Sequence, residues 1–298
     1  MAVPIADTFA EAFPMTATRL VITAETPGWA ETAARVLTGY GTSVIACDAE
    51  AGIETVLDPE MTPDQRPGVS VLLFAFSRDA LERAVSNRVG QCVMTCPTTA
   101  CYNGLPIVEK SIKVGGRLRY FGDGWQISKQ LDGRRYWRVP VMDGEFLCEE
   151  TFGVVKGVAG GNIIICGDDQ TKTLRAAECA VKVMRQCAGV LLPFPGGIAR
   201  SGSKVGSKYK ALRASTNTAF APTLRDAVPS EIVRGANCAY EIVIDGLTLE
   251  AVEFAMAAGM SAAAQCSGVI ALTAGNYGGK LGPYHIRLHD VRDRHPCP

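Results

Sequence analysis

Histidine is nearly missing from this chain, with three among 298 residues. A Ser-His-Asp relay has few places to sit, and no G-x-S-x-G turn is present to expose a serine nucleophile. A net charge is missing too: 30 Lys and Arg balance 30 Asp and Glu, so no global field draws in nucleic acid or an anionic membrane. Long hydrophobic runs are lacking, since even Val69–Phe76 ends at Ser77-Arg78-Asp79, far short of a bilayer span. The first residues carry Asp7 and Glu11 and lack a basic start followed by an apolar run, which reads against a signal peptide. No G-x-G-x-x-G sits at a strand-helix turn, and the stretch Gly197 to Lys204 places Ser before Lys where a phosphate loop needs the reverse.

What is present points to a folded chain. Hydrophobic residues make up 47% and charged residues 20%, enough apolar surface for a sizeable core. Cysteine is abundant, at 11. An odd number scattered from Cys47 to Cys297 fits reduced thiols in a cytoplasm better than a secreted disulfide framework.

The periodicity predicts two β-α-β units in the first half. Arg19–Ala24 reads as a strand, and Thr26-Pro27 opens a helix with Trp29, Ala30, Ala33, Ala34 and Leu37 inward, closed at Gly39. Thr42–Cys47 then reads as a strand, followed by an acidic, Pro-containing connection over Asp48–Pro67. Val69–Phe76 reads as a strand, Ser77 as a cap, and Leu81, Ala84, Val85 and Val89 as a helix stripe, with Gln91–Cys96 as the closing strand.

The pattern recurs from Asn162. Asn162–Cys166 predicts a strand, Leu174, Ala177, Val181 and Met184 a helix face, and Val190–Leu192 a strand. Cys238–Ile244 predicts another strand, with a Thr248-capped helix burying Val252, Ala255 and Met256, then Val269–Ala274. Two copies of β-α-β-β-α-β predict an α+β fold of duplicated ferredoxin-like lobes, residues 1–150 and 151–298. Antiparallel hairpins over Lys113–Gly161, turning at Asp123-Gly124, Asp132-Gly133 and Asp143-Gly144, bridge them.

Few residues suggest chemistry. Cys92, Cys96 and Cys101 lack the paired spacing and nearby His of a zinc site, and Cys92 and Cys96 read as core thiols sharing strand parity with Met94. His285 and His289 fall on one face of a terminal strand over Tyr284–Val291, without a visible third ligand, so no metal site is expected. The connection Pro195–Asn237 is long enough to be functional or disordered. It is rich in Gly, Ser and Lys, which suits an acidic small molecule, although a solvated basic loop has the same composition. Glu241 interrupts the apolar strand Cys238-Ala-Tyr-Glu-Ile-Val-Ile244. Burial there would favour the neutral acid and suit it to proton transfer; a buried Glu paired to Arg or Lys is the ordinary alternative.

Several ordered blocks carry a resemblance: Asp7-Thr-Phe-Ala-Glu-Ala-Phe13, Val89-Gly-Gln-Cys-Val-Met-Thr95, Phe121-Gly-Asp-Gly124, Val158-Ala-Gly-Gly-Asn162, Pro193-Phe-Pro-Gly-Gly-Ile198, Ser203-Lys-Val-Gly-Ser-Lys208, Ala214-Ser-Thr-Asn217, Tyr240-Glu-Ile-Val243 and Ala274-Gly-Asn-Tyr-Gly-Gly-Lys-Leu-Gly282. Together they resemble the formylmethanofuran:tetrahydromethanopterin formyltransferase family over nearly the whole chain. The resemblance implies a formyltransferase of one-carbon metabolism that moves a formyl group between (dephospho)tetrahydromethanopterin N5 and the amine of methanofuran or an analogue. It implies a homotetramer, no metal or redox cofactor, and carriers that act as co-substrates.

By that resemblance Glu241 is the catalytic carboxyl. Carrier contacts are expected from Gly196, Gly197, Ser203, Lys204, Ser207, Lys208, Ser215, Thr216 and Asn217 in the long loop, and from Thr98, Asp123 and Asn276 outside it. The balanced charge and many cysteines resemble copies from methylotrophic bacteria, where formyl-carrier hydrolase subunits are the implied partners. A carrier-binding subunit of such a hydrolase complex, without transfer activity of its own, is the competing reading.

Overall fold

Alternating strands and amphipathic helices produce a mixed α+β architecture in the computed structural model, which describes residues 3–107 and 110–296. Cys297 and the end of the Val291–Pro298 tail lie outside the described residues. Two compact units form, one from Met15–Lys156 and one from Met1–Pro14 with Gly157–Pro298. The division thus falls after Lys156, where the sequence suggested 150/151, and the first fourteen residues belong with the C-terminal unit.

In the Met15–Lys156 unit, β1 (Phe9–Thr23, from Met15 onward) is followed by α1 (Pro27–Thr38), β2 (Glu50–Leu57), β3 (Gly68–Ala75), α2 (Arg78–Arg88) and β4 (Ala100–Asn103). The strands pair antiparallel in the order β2-β3-β1-β4, with β1 to β3 in register from Thr16↔Ala75 to Thr23↔Gly68. Thr26 caps α1 and Ser77 caps α2, each side-chain oxygen accepting a backbone N–H. The helices bury Ala30, Ala33, Ala34, Leu37, Leu81 and Val85 with Leu20, Ile22, Val71 and Leu73.

Beyond β4 lie β5 (Ser111–Lys113), α3 (Gly115–Leu118), β6 (Ile127–Leu131), β7 (Arg134–Val141), β8 (Gly144–Glu149) and β9 (Thr151–Gly153). The expected hairpins are β6-β7 and β7-β8, turning at Asp132-Gly133 and Asp143-Gly144. Both lie within the Met15–Lys156 unit, where β8 joins β4 in parallel.

At three places this unit departs from the pattern its sequence predicts. Thr42–Cys47 is a turn: Ser43 O accepts from Ala46 N and Cys47 N, and Glu50 Oε1 accepts from Val44 N. The strand lies later, within the stretch read as a connection. Gln91–Val93 is helical and Met94–Cys96 a turn, because α2 runs into a π-helical turn over Val89–Val93, where Met94 N donates to Val89 O. Val89 and Val93 are four apart and both buried, so helical periodicity overrode the strand parity assigned to Cys92, Met94 and Cys96. Trp29 is exposed rather than inward.

The other unit holds β10 (Val155–Gly167, from Gly157 onward), α4 (Gln170–Met184), β11 (Val190–Leu191), β12 (Lys204–Val205), β13 (Ala214–Ser215), β14 (Cys238–Gly246), α5 (Leu249–Ala264), β15 (Val269–Thr273), β16 (Tyr284–Arg287) and α6 (Leu288–Arg294). Its main strands pair antiparallel in the order β15-β10-β14-β11. This repeats the order found in the first unit.

Phe9–Ala12 pairs with β16, and Ala6 N donates to Leu272 O, tying the N-terminal segment into this unit. The packing of α4 on α5 buries Ala177, Ala180, Met184, Val252, Met256 and Met260. Leu174, expected inward, is partly exposed, with Thr173 and Ala176 taking the inner face. The terminal strand stops at Arg287 and turns into α6, so His285 and His289 do not share a strand face. His285 stacks on Phe9, with ring centroids 4.7 Å apart.

Candidate active site

Glu241 sits on β14 between β10 and β11, where strand alternation turns its side chain away from the Tyr240 and Ile242 side. It is 4% exposed and has no ion-pair partner among the described residues. Its carboxyl is gripped by one residue of the long loop. Ser203 N donates to Oε2 at 2.7 Å, and Ser203 Oγ donates to Oε1 at 2.6 Å. Burial pushes the Glu241 carboxyl above its ordinary range, and the two Ser203 hydrogen bonds oppose that rise in part. A serine hydroxyl can also accept, so the same grip holds a protonated carboxyl.

The loop is fastened to β14 at the same point, where Ala199 N donates to Glu241 O at 2.8 Å. Asn217 N donates to Ser201 O, and the β12-β13 ribbon pairs Lys204 with Ser215 and Val205 with Ala214. Ser215 Oγ donates to Gly206 O, Ser207 Oγ accepts from Tyr209 N, and Lys204 Nζ donates to Thr218 Oγ1. Gly202 has φ +71, and a Cβ there would lie 2.4 Å from Asn217 Cβ, so the chain needs glycine at this crossing. The result is a largely polar cavity of about 420 Å³ whose walls include Glu241, Arg200, Ser201, Gly202, Thr216 and Asn217.

Of the expected carrier contacts, Ser203, Thr216 and Asn217 meet Glu241 at or beside this cavity. Lys204 and Ser215 lie on the adjoining ribbon, and Ser207 and Lys208 in its connecting turn. Gly196 and Gly197 form a tight turn in which Gly197 N donates to Phe194 O. Asn276 Nδ2 donates to Thr8 Oγ1 and Phe9 O, and its Oδ1 accepts from Gly278 N.

Thr98 and Asp123 belong to the Met15–Lys156 unit. There Thr98 N donates to Asp143 Oδ2, and Asp143 and Phe121 border a more apolar cavity of about 690 Å³ with Met94, Pro97 and Met142. Burial raises the Cys92 and Cys96 thiols, which reads against a reactive thiolate. No cluster of three His, Cys, Asp or Glu side chains suited to a metal exists among the described residues.

Sequence reasoning missed Arg200 and Ser201 on the cavity wall, and Glu11 and Tyr277, which are hydrogen-bonded to each other and through Tyr277 to Ser203. Arg200 and Ser201 adjoin the Gly/Ser/Lys block and could have been taken with it. Glu11 gave the same signal as Glu241, a carboxyl within an apolar strand, Phe9-Ala-Glu-Ala-Phe13.

Comparison with known proteins covers the whole arrangement. The sequence profile described as formylmethanofuran-tetrahydromethanopterin formyltransferase matches residues 1–141, and the profile of the proximal lobe of the same family matches residues 144–291. The chain is 54% identical to the formylmethanofuran–tetrahydromethanopterin formyltransferase of Methylobacillus flagellatus, over 97% of this chain and 98% of the relative. It resembles the solved formyltransferase of Methanosarcina barkeri with TM-score 0.91 and 50% identity, covering 97% and 98% of the two chains. It also resembles a chain of the formyltransferase/hydrolase complex of Methylorubrum extorquens, solved with methylofuran, with TM-score 0.94, 49% identity and 97% coverage of both chains. Matched along both halves and at these identities, the chain belongs to the formylmethanofuran-tetrahydromethanopterin formyltransferase family.

Proposed function

We infer that the chain is a formyltransferase moving a formyl group between a methanofuran-type amine and N5 of a tetrahydromethanopterin-type carrier, the reaction for which its family is named. The observation that carries the site assignment is Glu241, a buried carboxyl on the wall of a polar cavity, held by Ser203 rather than by a cation.

Transfer requires the acceptor nitrogen to attack the formyl carbon, the resulting oxyanion to be stabilised, and a proton to pass from the attacking to the leaving nitrogen. Protonated Glu241 donates toward the oxyanion or the leaving nitrogen, and ionised Glu241 accepts from the attacking nitrogen. Burial favours the protonated form and so holds the acid ready. The Ser203 grip orients it. Loop residues Lys204 and Lys208 attract acidic groups of the carriers, while Ser215, Thr216, Asn217, Thr98, Asp123, Gly196, Gly197, Ser207 and Asn276 remain proposed contacts. The formyl carbon keeps its oxidation level throughout, so the transfer as proposed needs neither a redox cofactor nor a metal.

The duplicated ferredoxin-like reading of the two lobes is supported by the repeated order of their main strands. Assembly as a homotetramer and residence in the cytoplasm extend the same reading; no helix among the described residues is long and apolar enough to cross a membrane. The relative solved within a formyltransferase/hydrolase complex supports hydrolase subunits as partners, a setting in which formyl would leave the pterin. It also keeps a carrier-binding role without transfer as the second reading.

Transfer assayed with the purified chain alone, followed by pterin absorbance, separates these. Turnover by wild type, with a loss of roughly 100-fold or more in Glu241→Gln, supports the reading. No transfer by the folded chain favours the binding subunit, and near-normal turnover in Glu241→Gln removes Glu241 from the mechanism.

A further inference from the structure

Glu11 is a second buried carboxyl without an ion-pair partner among the described residues, at 2% exposure on β1. Four backbone N–H groups of one loop converge on it. Oε2 accepts from Tyr277 N at 2.7 Å and Gly279 N at 3.0 Å, while Oε1 accepts from Gly282 N at 2.8 Å and from Leu281 N. Gly278 and Gly279, at φ +68 and +74, turn those N–H groups inward, the arrangement by which backbone binds an anion. Here the anion is the chain's own side chain. Burial alone would raise this carboxyl, but the four N–H donors together hold it below its ordinary range, which favours the carboxylate.

The loop wrapped around Glu11 reaches the active site through the Tyr277 side chain. Tyr277 OH donates to Ser203 O at 2.6 Å and accepts from Val205 N at 2.9 Å. It therefore clamps the main chain on both sides of Lys204. Ser203 is the residue whose N–H and hydroxyl grip Glu241. Asn162 fastens the same loop at its start, with Oδ1 accepting from Gly275 N and Nδ2 donating to Gly275 O.

We propose that Glu11 is a positioning residue for formyl transfer, its carboxylate anchoring the 277–282 loop so that the Tyr277 hydroxyl holds Ser203 against Glu241. The chain of contacts runs Glu11, Tyr277, Ser203, Glu241, and every member lies in one compact unit. A shift of Ser203 misplaces the acid relative to the reacting nitrogen and weakens its hydrogen bonds. Turnover should therefore suffer more than carrier binding. This rests on Glu241 acting as the proton-transferring carboxyl.

The test is the pH dependence of kcat and KM for wild type, Glu11→Gln, Tyr277→Phe and Glu241→Gln. Glu11→Gln sets an amide N–H₂ against two of the loop N–H donors. Tyr277→Phe leaves the loop on Glu11 and removes only the clamp, so it serves even where Glu11→Gln folds poorly. Both should lower kcat by roughly 10-fold or more with KM little changed. Both should also move the acidic group of the kcat profile to higher pH, because Glu241 loses hydrogen bonds that favour its ionised form.

Wild-type kcat and an unmoved profile in Tyr277→Phe, with Glu241→Gln inactive, would overturn the positioning role and leave the catalytic assignment standing. A thermal destabilisation of Glu11→Gln with unchanged kcat would do the same. Near-normal turnover in Glu241→Gln would instead remove the catalytic reading and the positioning proposal with it.

Discussion

Glu241 and Glu11 are both carboxyls buried in apolar strands, and their surroundings drive them in opposite directions. Glu241 meets two donors, both from Ser203, and burial wins. Glu11 meets four backbone donors, which outweigh its burial. The linkage signs follow. A raised carboxyl contributes stability at acid pH that is lost as pH rises through its folded value, so ionised Glu241 destabilises the fold above that point. Glu241→Gln places its oxygen toward Ser203 N and its N–H₂ toward Ser203 Oγ, and should melt at or above the wild-type temperature at neutral pH. The gap should close on acidification in calorimetric scans.

Glu11 carries the other sign, with stability present above its unfolded value and lost as pH falls through its depressed folded value. Glu11→Gln should show its largest melting deficit at neutral pH, shrinking below the ordinary carboxylate range. A deficit independent of pH would argue that shape rather than charge matters there. The oddity of both acids was legible in the sequence, as carboxyls among apolar neighbours. Their donors were not, since Ser203 lies 38 positions from Glu241 and the 277–282 loop lies at the other end of the chain from Glu11.

Among the elements, the caps were the most legible feature. Thr26, Ser77 and Thr248 occupy the N-cap positions their sequence context indicated, because a cap is a contact between near neighbours. The errors fell where a short apolar run fits either period. Thr42–Cys47 and Gln91–Cys96 read as strands and fold as a turn and as a helical extension ending in a turn.

Close approach between elements is likewise tertiary. Gly161 on β10 would place a Cβ 2.3 Å from Val252 Cγ1 of α5 and 3.1 Å from Ile244 O. Gly161→Val should therefore destabilise the unit by roughly 1–3 kcal/mol, read as a lower urea midpoint. An unchanged midpoint would mean that α5 moves away freely.

For the whole molecule, zero formal charge and a pI near 6.8 place the point of weakest electrostatic repulsion close to neutrality. Solubility at low salt should pass through a minimum there and rise on either side, measured as the soluble fraction against pH. A monotonic profile would show that an asymmetric surface charge controls association instead.

The sequence alone determined the α+β class, the helix caps and the family, because periodicity, capping and motif blocks are local or linear properties. Tertiary structure decided the rest. It assigned Met1–Pro14 to the C-terminal unit, because Phe9–Ala12 finds its partner strand at Tyr284–Arg287. It also determined which donors each buried acid meets, because a hydrogen bond between residues far apart in sequence exists only once the chain has closed on itself.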